Sequence, residues 1–232
     1  MTDVSRVEKK YAISMLLMYW LRPQFERLLR QDEHNGDAGY CVRSLYFDTF
    51  YDDDYEDKES GIECRRKIRL RIYHPEDRTA QLELKEKQGE NQRKRAIALE
   101  RAQVRRLIDG DFTPLLEEGS ELGKEFYYIM NQEHYVPRSI VEYDRIALIG
   151  PANEVRITFD QRVRATESSL DFFSPALPLY PVIDPDDVIL EVKYNHFLFS
   201  YIRDVLSAVA RNQVSIGKYS LSRSIGHANI LL

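Results

Sequence analysis

Charged and apolar residues alternate along six stretches of this chain. Each alternation predicts a strand, because a strand turns successive side chains to opposite faces. The clearest runs from Arg65 to Tyr73: Lys67, Arg69 and Arg71 share one face, and Ile68, Leu70 and Ile72 share the other. The pattern predicts strands over Val4–Ile13, Tyr40–Asp48, Cys64–Tyr73, Thr79–Lys87, Arg93–Glu100, Arg138–Leu148, Glu154–Val163 and Val188–Tyr194. The third and fourth form a hairpin around Pro75-Glu76-Asp77. Asn35–Gly39 reads as a turn, and residues 49–63 as an acidic, irregular loop. Helices are predicted over Pro23–Gln31, with Pro in the first turn, over Arg101–Asp109, and over Glu121–Tyr135, with Phe126, Ile129 and Met130 on one stripe. A last helix spans Phe197–Ala210, with Ile202, Val205, Leu206 and Val209 on one face. Short connections favour antiparallel pairing, so the fold class is α+β, mainly antiparallel β. Without a linker or repeat, residues 1–232 read as one domain.

The charged faces are unusual in kind. By alternation they collect Arg6, Glu8 and Lys10; Lys67, Arg69 and Arg71; Glu83, Lys85 and Lys87; Arg145; Arg156 with Asp160; and Glu191 with Lys193. The net charge of the chain is −5, yet this set holds ten basic and four acidic residues. The solvent side of an ordinary antiparallel sheet alternates in the same way. Such a side usually carries Thr, Ser and Gln, and these faces carry mainly Arg and Lys. Like charges in a row need water or a polyanion to quench them. Eight strands suffice to close a barrel that holds one ligand. A basic interior would be unstable when empty and would suit a string of phosphates, which Arg forks chelate and Lys point charges attract. Glu8 and Glu191, set among cations, are either ion-pair partners or ligands for Mg2+ or Mn2+, hard cations that take carboxylate oxygen.

The acidic balance excludes a general nucleic-acid binder. Cys41 and Cys64, without metal-ligand spacing, read as reduced thiols of a cytoplasmic protein. The first residues lack a signal-peptide hydrophobic region, and the apolar run Ile13–Leu21 is too short to span a bilayer. The five histidines are scattered, with no ligand spacing. A phosphate-loop glycine motif and a nucleophile elbow are both missing. Asp52-Asp53-Asp54 lacks the Gly and distal Glu of a calcium loop and reads as solvated.

Taken in order, the motifs resemble one family. They are Arg6-x-Glu8-x-Lys10-Tyr11, Val42-Arg43-Ser44-Leu45-Tyr46-Phe47-Asp48-Thr49, Lys67-x-Arg69-x-Arg71-x-Tyr73, and Leu82-Glu83-Leu84-Lys85-Glu86-Lys87. Val141-x-Tyr143-x-Arg145, Arg156-x-Thr158-x-Asp160, Leu190-Glu191-Val192-Lys193-Tyr194-Asn195 and Lys218-Tyr219 follow. The set resembles the VTC domain, the polyphosphate polymerase branch of the triphosphate tunnel metalloenzymes (CYTH-like). The resemblance implies an eight-stranded antiparallel tunnel barrel with a basic inner wall and flanking helices. It implies transfer of the ATP γ-phosphate to a growing polyphosphate chain, with Mn2+ or Mg2+. By motif, Lys10, Arg69, Arg71, Lys85, Arg145, Arg156, Lys193 and Lys218 resemble the phosphate-binding wall. Glu191 resembles the metal ligand, and Glu8 belongs to the signature Glu-x-Lys pair. Lys94 and Arg95 both lie where a further cation is expected. The family's closing Ser-Lys-Tyr reads Gly217-Lys218-Tyr219 here, so a hydroxyl donor is missing. The sensor domains and membrane helices of eukaryotic members have no counterpart, which implies a stand-alone, bacterial-type catalytic domain that could dock on a membrane protein partner. Two other readings stay open: a hydrolase of tripolyphosphate or nucleoside triphosphates, with Glu8 or Glu83 orienting water, and a non-catalytic polyphosphate-binding module.

Overall fold

The computed structural model describes residues 6–36, 38–89 and 91–228. Val4 and Ser5, expected in the first strand, lie outside the described residues. The strands are β1 (Arg6–Ser14), β2 (Arg30–Gln31), β3 (Tyr40–Thr49), β4 (Cys64–Ile72), β5 (Thr79–Gln88), β6 (Asn91–Glu100), β7 (Tyr135–Ile149), β8 (Arg156–Thr166), β9 (Tyr180–Pro181) and β10 (Asp187–Asn195). The helices are α1 (Met15–Glu26), α2 (Asp53–Glu59), α3 (Arg101–Ile108), α4 (Pro114–Glu117), α5 (Glu121–Gln132), α6 (Ser200–Leu206), which runs on as a 3-10 turn Ser207–Asn212, and α7 (Lys218–Ala228). The fold is α+β, a mainly antiparallel sheet with flanking helices. Hydrogen bonding follows the order β1-β10-β8-β7-β3-β4-β5-β6, with β2 on β7 and β9 on β8. The sheet has ten strands rather than the expected eight; β2 and β9 are two-residue additions to eight longer ones. Among the described residues this path does not close, which corrects the expectation of a closed barrel.

Two compact units divide the chain. Unit 1 comprises Met1–Cys41, Tyr143–Val163 and Ile183–Gly217; unit 2 comprises Val42–Glu142, Arg164–Val182 and Lys218–Leu232. Each has its own core. In unit 1, Met18, Leu21 and Phe25 of α1 and Ile202 and Leu206 of α6 belong to one cluster with Ile157, Phe159, Val188, Leu190 and Val192. In unit 2, Val104 and Leu107 of α3 and Phe126 and Met130 of α5 join Ile68, Leu70, Leu82, Leu84 and Leu99. Burying each such side chain contributes about 1.5–3 kcal/mol. The strands therefore give their apolar faces to the helices, and the alternating charged residues form the other face of each unit.

Three local expectations need correction. The first helix starts at Met15, not Pro23: Ser14 caps it by accepting from the Leu17 amide at 3.2 Å, and Pro23 sits inside it, at an exposed position. The segment expected to continue that helix, Arg30–Gln31, is β2. Residues 53–59 are helical rather than irregular, and Asp54 is buried rather than solvated. The buried carboxylate of Asp48 accepts the amides of Asp54 and Tyr55 at 2.9 and 3.0 Å, which satisfies donors at the start of α2. The Asn35–Gly39 turn depends on Gly39, whose φ is +89°. A Cβ there would stand 2.3 Å from the Arg145 carbonyl oxygen, so the turn packs directly on the strand that carries Arg145. None of the helices among the described residues is long and apolar enough to cross a membrane.

Candidate functional site

In unit 1, antiparallel pairing sets Glu8 opposite Lys193 and Lys10 opposite Glu191. The result is a checkerboard of two carboxylates and two ammonium groups. Lys10 Nζ lies 3.4 Å from Glu8 and 3.7 Å from Glu191; Lys193 Nζ lies 3.9 Å from Glu8 and 3.3 Å from Glu191. Lys10 also donates to the Ile216 carbonyl at 2.9 Å. Arg145 is buried and holds Asp160 through two nitrogens at 2.6 and 2.7 Å, with Glu191 at 3.6 Å. Burial opposes the charge on Arg145, but the carboxylate of Asp160 beside it holds its pKa well above the ordinary value. Arg156, which shares a strand face with Asp160, pairs with Asp32 at 2.9 Å and donates to the Tyr40 hydroxyl at 3.0 Å. The unit 1 face thus sets Lys10, Arg145, Arg156 and Lys193 against Glu8, Asp32, Asp160 and Glu191.

Unit 2 is different. Register places Arg69 opposite Tyr46 and Glu83, Arg71 opposite Ser44, and Lys67 opposite Lys85, which in turn faces Lys94. Glu83 is the carboxylate at the centre. It sits 2.8 Å from Arg69, 3.7 Å from Arg71 and 2.7 Å from Lys94. Burial would raise its carboxyl, but these cations hold it down to about 2. The row is therefore not unquenched when empty: Arg69 and Arg71 have an internal counter-charge. Arg69 also donates to the Tyr46 hydroxyl at 3.1 Å, and Arg69 and Arg71 outweigh burial to lower the Tyr46 phenol. Lys94, not Arg95, joins this face; Arg95 pairs with Glu86 at 2.8 Å and with Glu125 of α5. Lys218, the first residue of α7, is buried and contributes positive potential at the Tyr46 hydroxyl.

Sequence reasoning named Lys10, Arg145, Arg156, Lys193, Glu8 and Glu191, which unit 1 brings together, and Arg69, Arg71, Lys85 and Lys218, which unit 2 carries. It missed Asp32, Asp48 and Tyr46 as members of these networks. Tyr46 and Asp48 carried a signal, since they alternate on one strand and flank no charged row of their own. Asp32 carried none.

For a metal, the donor chemistry of unit 1 fits a hard cation. Among the described residues no three His, Cys, Asp or Glu side chains converge as a cage. Mg2+ often takes only one or two carboxylates and completes its shell with water and phosphate oxygens. Glu8 and Glu191 supply two carboxylates. Beside them, Thr158, paired with Glu191 in register, buries a hydroxyl oxygen that has no hydrogen-bond partner.

Two solved structures share the fold. One, titled a "putative adenylate cyclase" from Bacillus halodurans, superposes with a TM-score of 0.52 at 10% identity, covering 92% of this chain and 95% of its own. Another, titled a "putative adenylate cyclase" from Vibrio parahaemolyticus, gives 0.50 at 10% identity, covering 93% and 96%. At that identity the likeness concerns the fold alone. No curated protein matches the sequence. The VTC domain family model matches residues 5–227, and the motifs quoted above fall within that span, so the chain belongs to the VTC domain family.

Proposed function

We propose that the chain is a polyphosphate polymerase that transfers the ATP γ-phosphate to a growing polyphosphate chain, as one VTC-type triphosphate-tunnel domain over residues 1–232. The observation that carries this reading is the lysine row of unit 2. Lys67, Lys85 and Lys94 stand in register across three strands, next to Arg69 and Arg71. Like charges directly opposite one another are disfavoured. A chain of phosphates, negative at every unit, offsets that repulsion along several strands at once.

The reaction needs no protein nucleophile. A terminal oxygen of the polyphosphate attacks the γ-phosphorus in line, the bond from that phosphorus to the β–γ bridging oxygen breaks, and ADP leaves. Lys10, Arg69, Arg71, Lys85, Arg145, Arg156, Lys193 and Lys218 would hold and orient the phosphates and stabilise the charge that develops. Glu191 and Glu8 would hold Mn2+ or Mg2+, which would supply charge neutralisation at the phosphates. Hydrolysis would need a carboxylate able to orient and deprotonate water. Glu83, held near 2 by three cations, is a poor base, which argues against that role for it.

Purified protein incubated with ATP and Mn2+ tests the reading. Long polyphosphate on a gel supports it. Orthophosphate without chains would make the protein a hydrolase, and neither product would leave a binding module.

A further inference from the structure

Asp48 is fully buried and uses both carboxylate oxygens. Oδ1 accepts the Thr49 and Asp54 amides at 2.8 and 2.9 Å; Oδ2 accepts the Tyr55 amide at 3.0 Å and the Tyr219 hydroxyl at 2.6 Å. The last bond spans 171 residues and ties β3 and the start of α2 to the first turn of α7. The Tyr219 ring stacks on Tyr46, with centroids 5.0 Å apart and planes 21° apart, and meets Tyr55 edge-on at 6.3 Å. Lys67 Nζ stands 5.9 Å over the same ring. Tyr46 in turn accepts from Arg69. Burial and the neighbouring Asp48 carboxylate push the Tyr219 phenol up, so it stays a donor.

The geometry points to Asp48 and Tyr219 as a latch that positions Lys218 for phosphate. Lys218 is adjacent to Tyr219, buried, and close enough to act electrostatically on Tyr46. A lysine carries a point charge on a flexible stem with four rotatable bonds. Its placement therefore depends on how firmly its backbone is held. Here the backbone is the first turn of α7, which the buried Tyr219–Asp48 bond ties to β3 and the Ser222 hydroxyl braces from within by donating to the Tyr219 carbonyl at 2.7 Å. The Tyr219 ring is also stacked on Tyr46, the hydroxyl partner of Arg69. Asp48 and Tyr219 are positioning residues: they act through Lys218. The inference rests on the proposed role of Lys218 in binding phosphate.

A double-mutant cycle on the full chain tests it, with tripolyphosphate as the probe and its Kd read by calorimetry. Tyr219→Phe removes one hydroxyl and keeps the stacked ring, and Lys218→Met removes the charge and keeps the stem. Tyr219→Phe should weaken tripolyphosphate binding about tenfold, or about 1.4 kcal/mol. In the Lys218→Met background the same substitution should change Kd less than twofold. In ATP turnover it should raise KM more than it lowers kcat. Equal losses in both backgrounds would mean general loosening and would overturn the latch, as would no loss in either. Asp48→Asn, run through the same cycle, gives a second reading should Tyr219→Phe fail to fold. If wild type binds no tripolyphosphate, the functional reading and the latch fall together. If wild type binds and Lys218→Met binds equally well, only the latch and the role of Lys218 fall.

Discussion

The charged faces of the two units are built by the same alternation and reach opposite electrostatic solutions. In unit 1 four cations meet four carboxylates, and each pair shares its charge through contacts of 2.6–3.9 Å. In unit 2 Arg69, Arg71 and Lys94 converge on the single carboxylate of Glu83, while Lys67, Lys85 and Lys94 line up in register. A balanced face offers oxygen ligands to a cation and screened cations to an anion. A basic face with one internal carboxylate offers net positive charge. On the function proposed above, the carboxylates of unit 1 would serve the metal and the cations of unit 2 would supply the stronger pull on phosphate.

The largest expected effect breaks the unit 1 half of this division. Glu191→Gln keeps shape and removes one of the two carboxylates offered to the cation. A metal contributes several kcal/mol of charge stabilisation, so ATP turnover should fall about 100-fold or more while circular dichroism stays unchanged. Wild-type turnover at saturating Mn2+ would show that Glu191 is only an ion-pair partner. The matching substitution in unit 2 should act with the opposite sign on binding. Glu83→Gln takes away the carboxylate that Arg69, Arg71 and Lys94 share, which should cost about 3–5 kcal/mol of stability. It also removes a negative charge that competes with phosphate, so tripolyphosphate should bind severalfold more tightly. Weaker binding would mean that Glu83 chiefly orients the arginines. The carboxyl of Glu83 is depressed in the fold. Its stabilising contribution is therefore present above the ordinary carboxylate range and is lost as pH falls towards 2, a loss that acid titration of the Gln variant should lack.

Period-two alternation made both charged faces legible, since it needs only local sequence. Lys67, Arg69, Arg71, Glu191 and Lys193 all point where their spacing says. Partner choice was not legible. Arg156 and Asp160 lie four residues apart on one strand, roughly 13 Å, too far to pair directly, and their real partners come from other elements. The α1 boundary was hidden because Pro23 resembles a first-turn residue, whereas the cap at Ser14 and the stripe Met18, Leu21, Phe25 locate the helix. Helix α2 was hidden because its acidic composition resembles a loop. It forms on a buried cap, Asp48, that lies outside it. Sheet closure was a matter of hydrogen bonding between distant strands, which alternation does not encode.

A sharper test of the unit 2 imbalance lies in Asp54, buried behind the face with Arg66 at 3.9 Å and the Tyr135 hydroxyl donating at 2.9 Å. Burial first, and the charge of Asp48 second, raise its carboxyl to about 7. Asp54 is thus neutral below about pH 7, where it adds no negative charge that would offset the lysines. A raised carboxyl means that the folded state holds a proton the unfolded chain has released. Stability therefore falls as pH rises from about 4 to about 7, by up to roughly 4 kcal/mol at 1.36 kcal/mol per unit. Asp54→Asn should remove this slope and be more stable than wild type at pH 8 by about 2–4 kcal/mol, while the two match near pH 4. Parallel denaturation curves for both proteins across that range would show that Asp54 is ionised throughout and that unit 2 is less basic than its face implies.

The smallest effect tests whether the balance of unit 1 leaves room for a cation. Thr158 stands opposite Glu191 and buries a hydroxyl oxygen that finds no partner. An unpaired buried hydroxyl costs about 1–3 kcal/mol on scales drawn from protein mutations, and valine matches threonine in shape. Thr158→Val should therefore leave the empty protein as stable as wild type or more stable, by about 1 kcal/mol, in urea denaturation. If that oxygen completes the surroundings of a cation held by Glu191 and Glu8, the same variant should lose Mn2+ affinity severalfold when titrated with the metal and tripolyphosphate. The pairing of the two readouts decides the point: a gain in stability without a loss in affinity marks the hydroxyl as an idle polar atom. A loss of both would mean that Thr158 has a structural partner, and that the face of unit 1 is filled by its own ion pairs with no place reserved for a metal.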